Sequence, residues 1–303
     1  MNSKFIKSLL LLAVIVAGVV TAWIIRDKPV GKYDQAANLM LDKLFHFGDR
    51  TRESDKLEIY FENSRKTGKG LYAIDKVEIK SPRFASNLKV ETFEVTRLDQ
   101  KNEFPHFFTL KLKGLKITRD TLPGGMLYLP FLQIRMKEVL ADARLSLDYD
   151  LSKKTLLFSA KISLRQLLDL DFSIRLNRFD SALLAMIYSA AKRDMDLLEM
   201  HLDASSLADL KLKVSNTGFI QRIFKSMSPG MKSALKETLK RQLSTATHPT
   251  ARQWFQALTD LLQYKKALSI VMHPEQTLNF RQLALLPGAE QITKLNISIE
   301  AEK

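Results

Sequence analysis

The sequence predicts an α+β fold dominated by β-structure, in which an antiparallel meander sheet is followed by a C-terminal helical block and preceded by one N-terminal transmembrane helix. Three observations lead to this prediction: an apolar run near the N-terminus with a single charge, many short segments of alternating apolar and polar residues, and a change to helical spacing near residue 216. The chain has 303 residues, of which 46% are hydrophobic and 26% are charged. This balance is typical of a globular chain that buries a sizeable core.

The N-terminal apolar run extends from Phe5 to Ile25, and its only charge is Lys7. Because roughly 20 apolar residues of helix span the hydrocarbon of a bilayer, the run is long enough to cross a membrane. Trp23 lies near its far end, where an indole suits the membrane interface. We therefore predict an uncleaved signal-anchor. The side chains that mark the anchor are Phe5, Leu9, Leu12, Val16, Val20 and Trp23.

Two other interpretations of this run remain open: a signal peptide cleaved after Ala22, and a buried soluble helix. Basic residues flank the run on both sides, so their count does not decide the orientation. Because a short tail followed by a long domain usually inserts with the tail inside, we expect a single-pass protein of a bacterial inner membrane with its C-terminal domain in the periplasm. The chain has no cysteine, which excludes lipoprotein processing, disulfide-stapled modules and thiolate metal sites.

The chain divides into three regions: 1–32 is the anchor and a polar linker, 33–215 is a helix followed by antiparallel β-structure, and 216–303 is a helical block with closing strands expected to pack on the same sheet. Short connections between alternating segments favour antiparallel meanders. The phase of alternation slips at Gly114, which predicts a β-bulge or a bend there. The predicted strands are 57–62, 74–80, 88–97, 108–117, 144–149, 158–162, 170–177, 198–202, 210–214, 267–272 and 295–302. The predicted helices are 34–45, 180–193, 219–224, a helix opened by Pro229 and another opened by Pro249, with a helical turn at 280–286.

The residues that carry catalytic or metal chemistry do not form a recognisable motif. The five histidines are His46, His106, His201, His248 and His273, and none has the short spacing of a local metal-ligand pair. There is no G-x-S-x-G sequence and no Gly-rich phosphate loop. Four aspartates, Asp148, Asp150, Asp169 and Asp171, could meet as a carboxylate pair, but outward positions on strands are typical of a solvated face. We predict no enzyme, no catalytic residue, no cofactor and no metal site.

A basic stretch from Lys211 to Arg241 contains eight Lys or Arg and a single acid, Glu237. In the helix opened by Pro229, basic residues four positions apart form a stripe beside apolar ones, a pattern that suits an anionic lipid surface. The alternative is an ordinary solvated helix face. We find no nucleic-acid-binding module, and an apolar anchor argues against a nucleic-acid partner. The candidate residues for contact with a membrane surface are Lys225, Lys232, Lys236, Lys240 and Arg241.

Three segments of the last third resemble bacterial periplasmic envelope proteins of the AsmA-like and YdgA-like kind. They are 216–224 (NTGFIQRIF), 267–274 (ALSIVMHP) and 295–299 (LNISI). The resemblance implies an inner-membrane-anchored periplasmic protein with a curved sheet whose apolar face holds or guides lipid. On this basis the expected function is non-enzymatic lipid binding in the envelope, with membrane lipid as both anchor environment and ligand.

Two other functions remain open. The first is a structural or interaction module of an envelope assembly, in which the basic helix meets an acidic partner protein. The second is an enzyme that acts on envelope lipid or glycan, for which the diffuse supply of Asp and Glu is the only support in the sequence.

Overall fold

The computed structural model describes residues 35–45, 58–80, 87–118, 138–165, 167–188, 204–215, 218–263, 267–274, 277, 279, 281–282 and 294–302. The strands are β1 Glu58–Tyr60, β2 Asn63–Gly68, β3 Leu71–Lys80, β4 Leu88–Leu98, β5 Phe107–Thr118, β6 Glu138–Asp150, β7 Thr155–Leu164, β8 Leu168–Asn177, β9 Ser206–Ser215, β10 Ala267–Met272 and β11 Ile297–Glu302. The helices are α1 Gln35–Phe45, α2 Ser181–Tyr188, α3 Gly218–Ser226, α4 Pro229–Thr245 and α5 Pro249–Gln263.

All eleven strands belong to one antiparallel sheet. From β3 to β11 each strand pairs with the next one in the chain. The connections from β6 to β7 and from β7 to β8 are short turns, as a meander predicts, whereas the connection from β9 to β10 contains three helices. β1 and β2 both pair with β3 and together form one edge of the sheet, and β11 forms the other end of the strand order. The prediction of a β-dominated fold with a curved antiparallel sheet and C-terminal helices is confirmed.

The core lies on one face of the sheet, because alternation turns every second side chain of each strand to that face. On β6 these are Leu145, Leu147 and Tyr149, all buried. Three helices cover parts of this face. α1 packs near β3 through residues such as Leu41, and α2 contributes Leu183 and Leu184. α5 packs on β10 and β11 through Ala257 and Leu261.

The opposite face is polar and carries cross-strand ion pairs. Most of these side chains are well exposed, so each pair stabilises the fold by at most about 1 kcal/mol. The pairs on neighbouring or next-neighbouring strands and turns are Arg97–Asp148, Lys111–Glu94, Lys116–Glu138, Lys161–Asp171, Arg165–Asp142 and Arg175–Asp209. The acids of this face are therefore spread over the sheet, with basic neighbours beside them.

Of the bulge or bend predicted at Gly114, the structure shows the bulge. The pairing of β5 with β6 shifts between Leu112 and Leu115, and Gly114 has a φ of 62°. Its N–H donates to Asp142 Oδ1 at 2.8 Å, and the Arg165 guanidinium also donates to Asp142 at 2.9 and 3.0 Å. The hydrogen bonds from Arg165 lower the pKa of the Asp142 carboxyl.

Strand β2 was not predicted from the sequence. Its residues, NSRKTG, contain no apolar side chain, and it forms because it pairs with β3 across the Lys69–Gly70 turn. The predicted helix 180–193 is observed as α2 up to Tyr188, and the predicted turn at 280–286 is described only at Arg281 and Gln282.

The predicted anchor, the remaining residues of the first region and the predicted strand 198–202 lie outside the described residues. Among the helices that the structure does describe, none is both long enough and apolar enough to span a bilayer.

Candidate functional site

Burial of the apolar face changes along the strands. Val139 and Ala141 of β6 are fully buried, whereas at the same level β5, β7, β8 and β9 carry core-facing side chains that are only half-buried. We call this set the half-buried row. It consists of Leu115 and Ile117 of β5, Ile162 and Leu164 of β7, Leu168 and Leu170 of β8, and Leu212 and Val214 of β9.

The strand register aligns the residues of the half-buried row. Ile162 lies directly opposite Leu170, and Leu170 lies directly opposite Val214. On the β6 side, Ala141 pairs with both Leu115 and Leu164 and bridges the row between β5 and β7. Directly opposed side chains on one face are about 5 Å apart at Cβ, so these residues touch across the strands. These residues therefore belong to one apolar strip across five strands, and its partly exposed surface is interrupted at β6 by the buried Ala141.

The helical block lies at the β11 side of the same sheet, with α5 against the sheet and α4 packed on α5. Ser228 caps α4 by accepting a hydrogen bond from the Met231 N–H at 3.3 Å, and Pro229 occupies the first turn. Only Leu239 of α4 is buried, and Met231 is 59% exposed. α4 is thus an outer helix with most of its surface in solvent.

The five candidate contact residues lie on α3 and α4, and all but Lys232 are exposed. Lys232 is half-buried, and its ammonium donates to the carbonyl oxygen of Lys225 at 2.8 Å. The Lys236 ammonium lies 5.9 Å from the centre of the Phe224 ring, within range of a cation–π interaction. Lys240 and Arg241 continue the stripe toward the C-terminal end of the helix. No candidate residue forms an ion pair with another described residue.

The structure does not bring the four aspartates together. Asp148 pairs with Arg97 at 2.6 Å, and Asp171 pairs with Lys161 at 2.9 Å. Asp150 accepts hydrogen bonds within its own turn, and Asp169 accepts one from Ser163. Asp148 and Asp150 lie at one end of β6, whereas Asp169 lies level with Asp142 at the other end of the sheet.

Three histidines are described, and each has a separate local environment. The Nδ1 atom of His273 lies 2.6 Å from Asp209, which also pairs with Arg175 at 3.3 Å. His106 stacks edge-on against Tyr149, and His248 Nδ1 accepts from the Thr250 N–H. Within the described part of the chain, no group of three or more potential ligands is arranged to hold a metal ion. His46 and His201 lie outside that part.

The half-buried row was not identified from the sequence. The alternation of apolar and polar residues is the same at both ends of these strands, so the pattern shows which side chains face the core but not how deeply they are covered. The Phe224–Lys236 contact was also missed, because the two residues lie on different helices.

A protein-family model described as "Uncharacterized protein" matches residues 161–302, a little under half of the chain. The match begins within β7, at Lys161, and continues through β11, so it contains the helical block and the part of the half-buried row that lies on β7, β8 and β9. No curated protein matches this chain.

Proposed function

We propose that this protein is a membrane-anchored, non-enzymatic protein of the bacterial envelope that binds or guides lipid on the apolar face of its curved sheet. The single observation that carries the proposal is the half-buried row, eight apolar side chains on β5, β7, β8 and β9 that are partly open to solvent. Its likeness to AsmA-like and YdgA-like proteins remains part of the proposal.

The row suits an acyl chain better than a polar ligand. Every side chain in it is a branched hydrocarbon, and specific polar ligands need convergent donors and acceptors that the row itself does not supply. Each methylene moved from water onto such a surface contributes about 0.8 kcal/mol, so a long acyl chain gains affinity from many small contacts.

Two further features support a membrane location in this proposal. The segment Phe5–Ile25 is the anchor, and the basic stripe of α4 contacts the anionic surface next to it. Each basic residue near an anionic leaflet contributes about 1 kcal/mol, so the exposed cations of α3 and α4 together favour docking of the helical block on the leaflet.

The first experiment is gentle purification of the full chain from membranes, followed by mass spectrometry of the intact protein and of extracted lipids. We expect a chain that begins at Met1 and carries stoichiometric lipid. A paired variant, Ile162→Gln with Leu170→Gln, removes apolar surface at two opposed positions of the row and should lose the lipid. The control is Lys161→Gln with Asp171→Asn, which changes the opposed pair on the polar face at the same level of the sheet.

Two results would contradict the proposal. One is a lipid content that is equal in both paired variants, since lipid bound to the row must depend on the row. The other is a lipid-free chain that begins at Trp23, which would make the protein a soluble periplasmic module.

A second candidate function is an interaction module whose basic helix meets an acidic partner protein. The observation that favours it is the absence of ion pairs at the exposed cations of α4 among the described residues. Photo-crosslinking from position 236 in cells separates the two candidates: a protein adduct supports the module, and lipid adducts alone support the membrane contact.

A further inference from the structure

Strand β11 ends the sheet and is paired on one side only, with β10, within the part of the chain that the structure describes. Its pairing with β10 runs through six consecutive residue pairs without a bulge, and it contains no proline. A regular edge strand presents unpaired N–H and C=O groups that can pair with another strand. Such an edge is therefore a candidate interface.

An open groove of about 880 Å³ runs beside this edge. One wall is formed by β11 residues including Ile299 and Glu300, and the other by α5 residues including Arg252, Gln256 and Asp260. Arg252 and Asp260 form no ion pair with any described residue, although Asp260 accepts a hydrogen bond from Gln256 at 3.0 Å. The groove thus presents one unmatched cation and one unmatched anion from the same helix.

We propose that the occupant of this edge is a second copy of the chain, which pairs its β11 antiparallel with this β11 about a two-fold axis at Ile299. In that register Ile299 meets its own copy, Ile297 meets Ala301, and Ser298 meets Glu300. Apolar side chains then face apolar ones, and each Glu300 faces a hydroxyl rather than another carboxylate. Moving the axis to Glu300 would oppose two like charges, and a shift by a single residue would place apolar side chains opposite polar ones.

The charged side chains of α5 also match the proposed two-fold axis. Arg252 and Asp260 lie four residues on either side of Gln256, so two antiparallel copies of α5 crossing at Gln256 place each Arg252 beside the partner copy's Asp260. α5 packs chiefly on β11 and also touches β10. The proposed dimer therefore brings the two copies of α5 together as a helix pair, whose axes should lie about 8–10 Å apart.

This arrangement is compatible with a membrane on one side of the dimer. A two-fold axis that joins two antiparallel edge strands into one continuous sheet runs perpendicular to that sheet. Both copies of α5, and both copies of α4 packed on them, then lie on the same side. Dimerisation does not depend on lipid binding, because it requires only the β11 edge and α5.

The test is a charge exchange in the full chain in detergent micelles, with mass measured by light scattering over a range of protein concentration. The unmodified chain should dimerise. Arg252→Asp or Asp260→Arg alone should weaken the dimer by about tenfold or more, because each creates two like-charge contacts across the axis. The combined Arg252→Asp, Asp260→Arg variant should recover it. A monomer at every concentration, or a combined variant no better than the single ones, would overturn the proposal.

A second measurement uses the lack of native cysteine. Gln256→Cys places one thiol near the proposed axis, and mild oxidation should convert the chain to a disulfide-linked dimer. Ser152→Cys, in the exposed turn between β6 and β7, is the control and should remain monomeric under the same conditions. Equal crosslinking of both variants would show random collision and would also overturn the proposal. Circular dichroism of each variant checks that the fold is retained.

Discussion

Asp99 shows at the scale of one residue how this fold holds a buried charge. The residue is 2% exposed and lies in the turn between β4 and β5. Burial alone would raise its pKa, but hydrogen bonds from the Asn102 side chain and from the backbone N–H groups of His106, Lys101 and Asn102 outweigh burial and lower the pKa to about 2. The carboxylate therefore organises the turn.

This environment predicts a specific pH dependence of stability. Because the folded pKa is lower than the value near 3.8 expected in the unfolded chain, the carboxylate stabilises the fold above about pH 4, and its contribution is lost as the pH falls toward 2. The contribution at neutral pH is about 2 kcal/mol. Asp99→Asn should lower the free energy of unfolding by an amount of that order at pH 7, measured by urea denaturation. The difference between the two chains should shrink between pH 4 and pH 2, and a constant difference would contradict the assignment.

Gly114 gives a second prediction at the residue scale. Its φ of 62° is unfavourable for any residue with a Cβ, and an added Cβ would overlap the Glu91 carboxyl group. Gly114→Ala should destabilise the fold by about 1–2 kcal/mol in thermal or urea unfolding. Adding Glu91→Ala should recover only the part of the loss due to the overlap.

The matched control for Gly114→Ala is Gly230→Ala. A Cβ added at Gly230 would meet no neighbour within 4 Å, and this residue lies in the first turn of α4 with an ordinary backbone conformation. Alanine there should be neutral or stabilising by less than about 1 kcal/mol. An equal loss of stability at both glycines would show that the backbone conformation of the bulge does not cause the destabilisation by Gly114→Ala.

At the scale of the element, the sequence predicts a strand where one face of the strand is buried and the other is exposed to solvent. Alternating apolar and polar residues were sufficient to predict β7 and β8, and the phase slip was sufficient to predict an irregularity at Gly114, because both signals follow from the two-residue period of a strand. β2 could not be found in this way, since its polar residues take their conformation from pairing with β3. Likewise, the partial exposure of the half-buried row depends on which parts of the chain pack over it. That packing is tertiary structure, which the alternation pattern does not contain.

The basic stripe of α4 leads to a prediction at the same scale. With Ser233→Cys as a single reporter beside the stripe, a water-soluble thiol reagent should label the full chain more slowly in nanodiscs of anionic lipid than in nanodiscs of zwitterionic lipid. Lys232→Gln, Lys236→Gln and Lys240→Gln together should abolish this difference. The three charges contribute about 3 kcal/mol at an anionic surface, and high salt should reduce the effect.

The control for that experiment removes the same net charge elsewhere. Lys66→Gln, Lys69→Gln and Lys101→Gln change three exposed lysines at the β2–β3 hairpin and the turn after β4. This variant should keep the difference between the two lipids. If both triple variants lose it, net charge rather than the position of α4 determines the contact.

At the scale of the whole molecule, one continuous sheet carries both proposed surfaces. The β11 edge lies at the end of the strand order, whereas the half-buried row crosses β5 to β9. The two surfaces are separated by β10, so a dimer through β11 leaves the row of each copy accessible. Lipid binding and dimerisation are therefore expected to be separable by mutation, with Ile162→Gln affecting the first and Arg252→Asp the second.

Ligand binding to the row also predicts a change in global stability. A ligand that binds only the folded chain stabilises it by about 2.7 kcal/mol at a concentration one hundred times its Kd. For a chain of this size that corresponds to a rise in Tm of roughly 5 °C. Chain stripped of lipid by detergent exchange should therefore melt lower than chain as purified, and a long-chain phospholipid should restore the Tm.

The polar headgroup and the acyl chain can be separated in the same assay. Glycerol phosphate should leave the Tm unchanged, because the row offers only hydrocarbon contacts. The Ile162→Gln, Leu170→Gln variant should show no rise with phospholipid, while the Lys161→Gln, Asp171→Asn control should show the full rise. The comparison uses the shift on adding lipid rather than the absolute Tm, since glutamine at two half-buried positions lowers the stability of the chain by itself. A full shift in the row variant would place the lipid elsewhere on the molecule and remove the main support for lipid binding on this face.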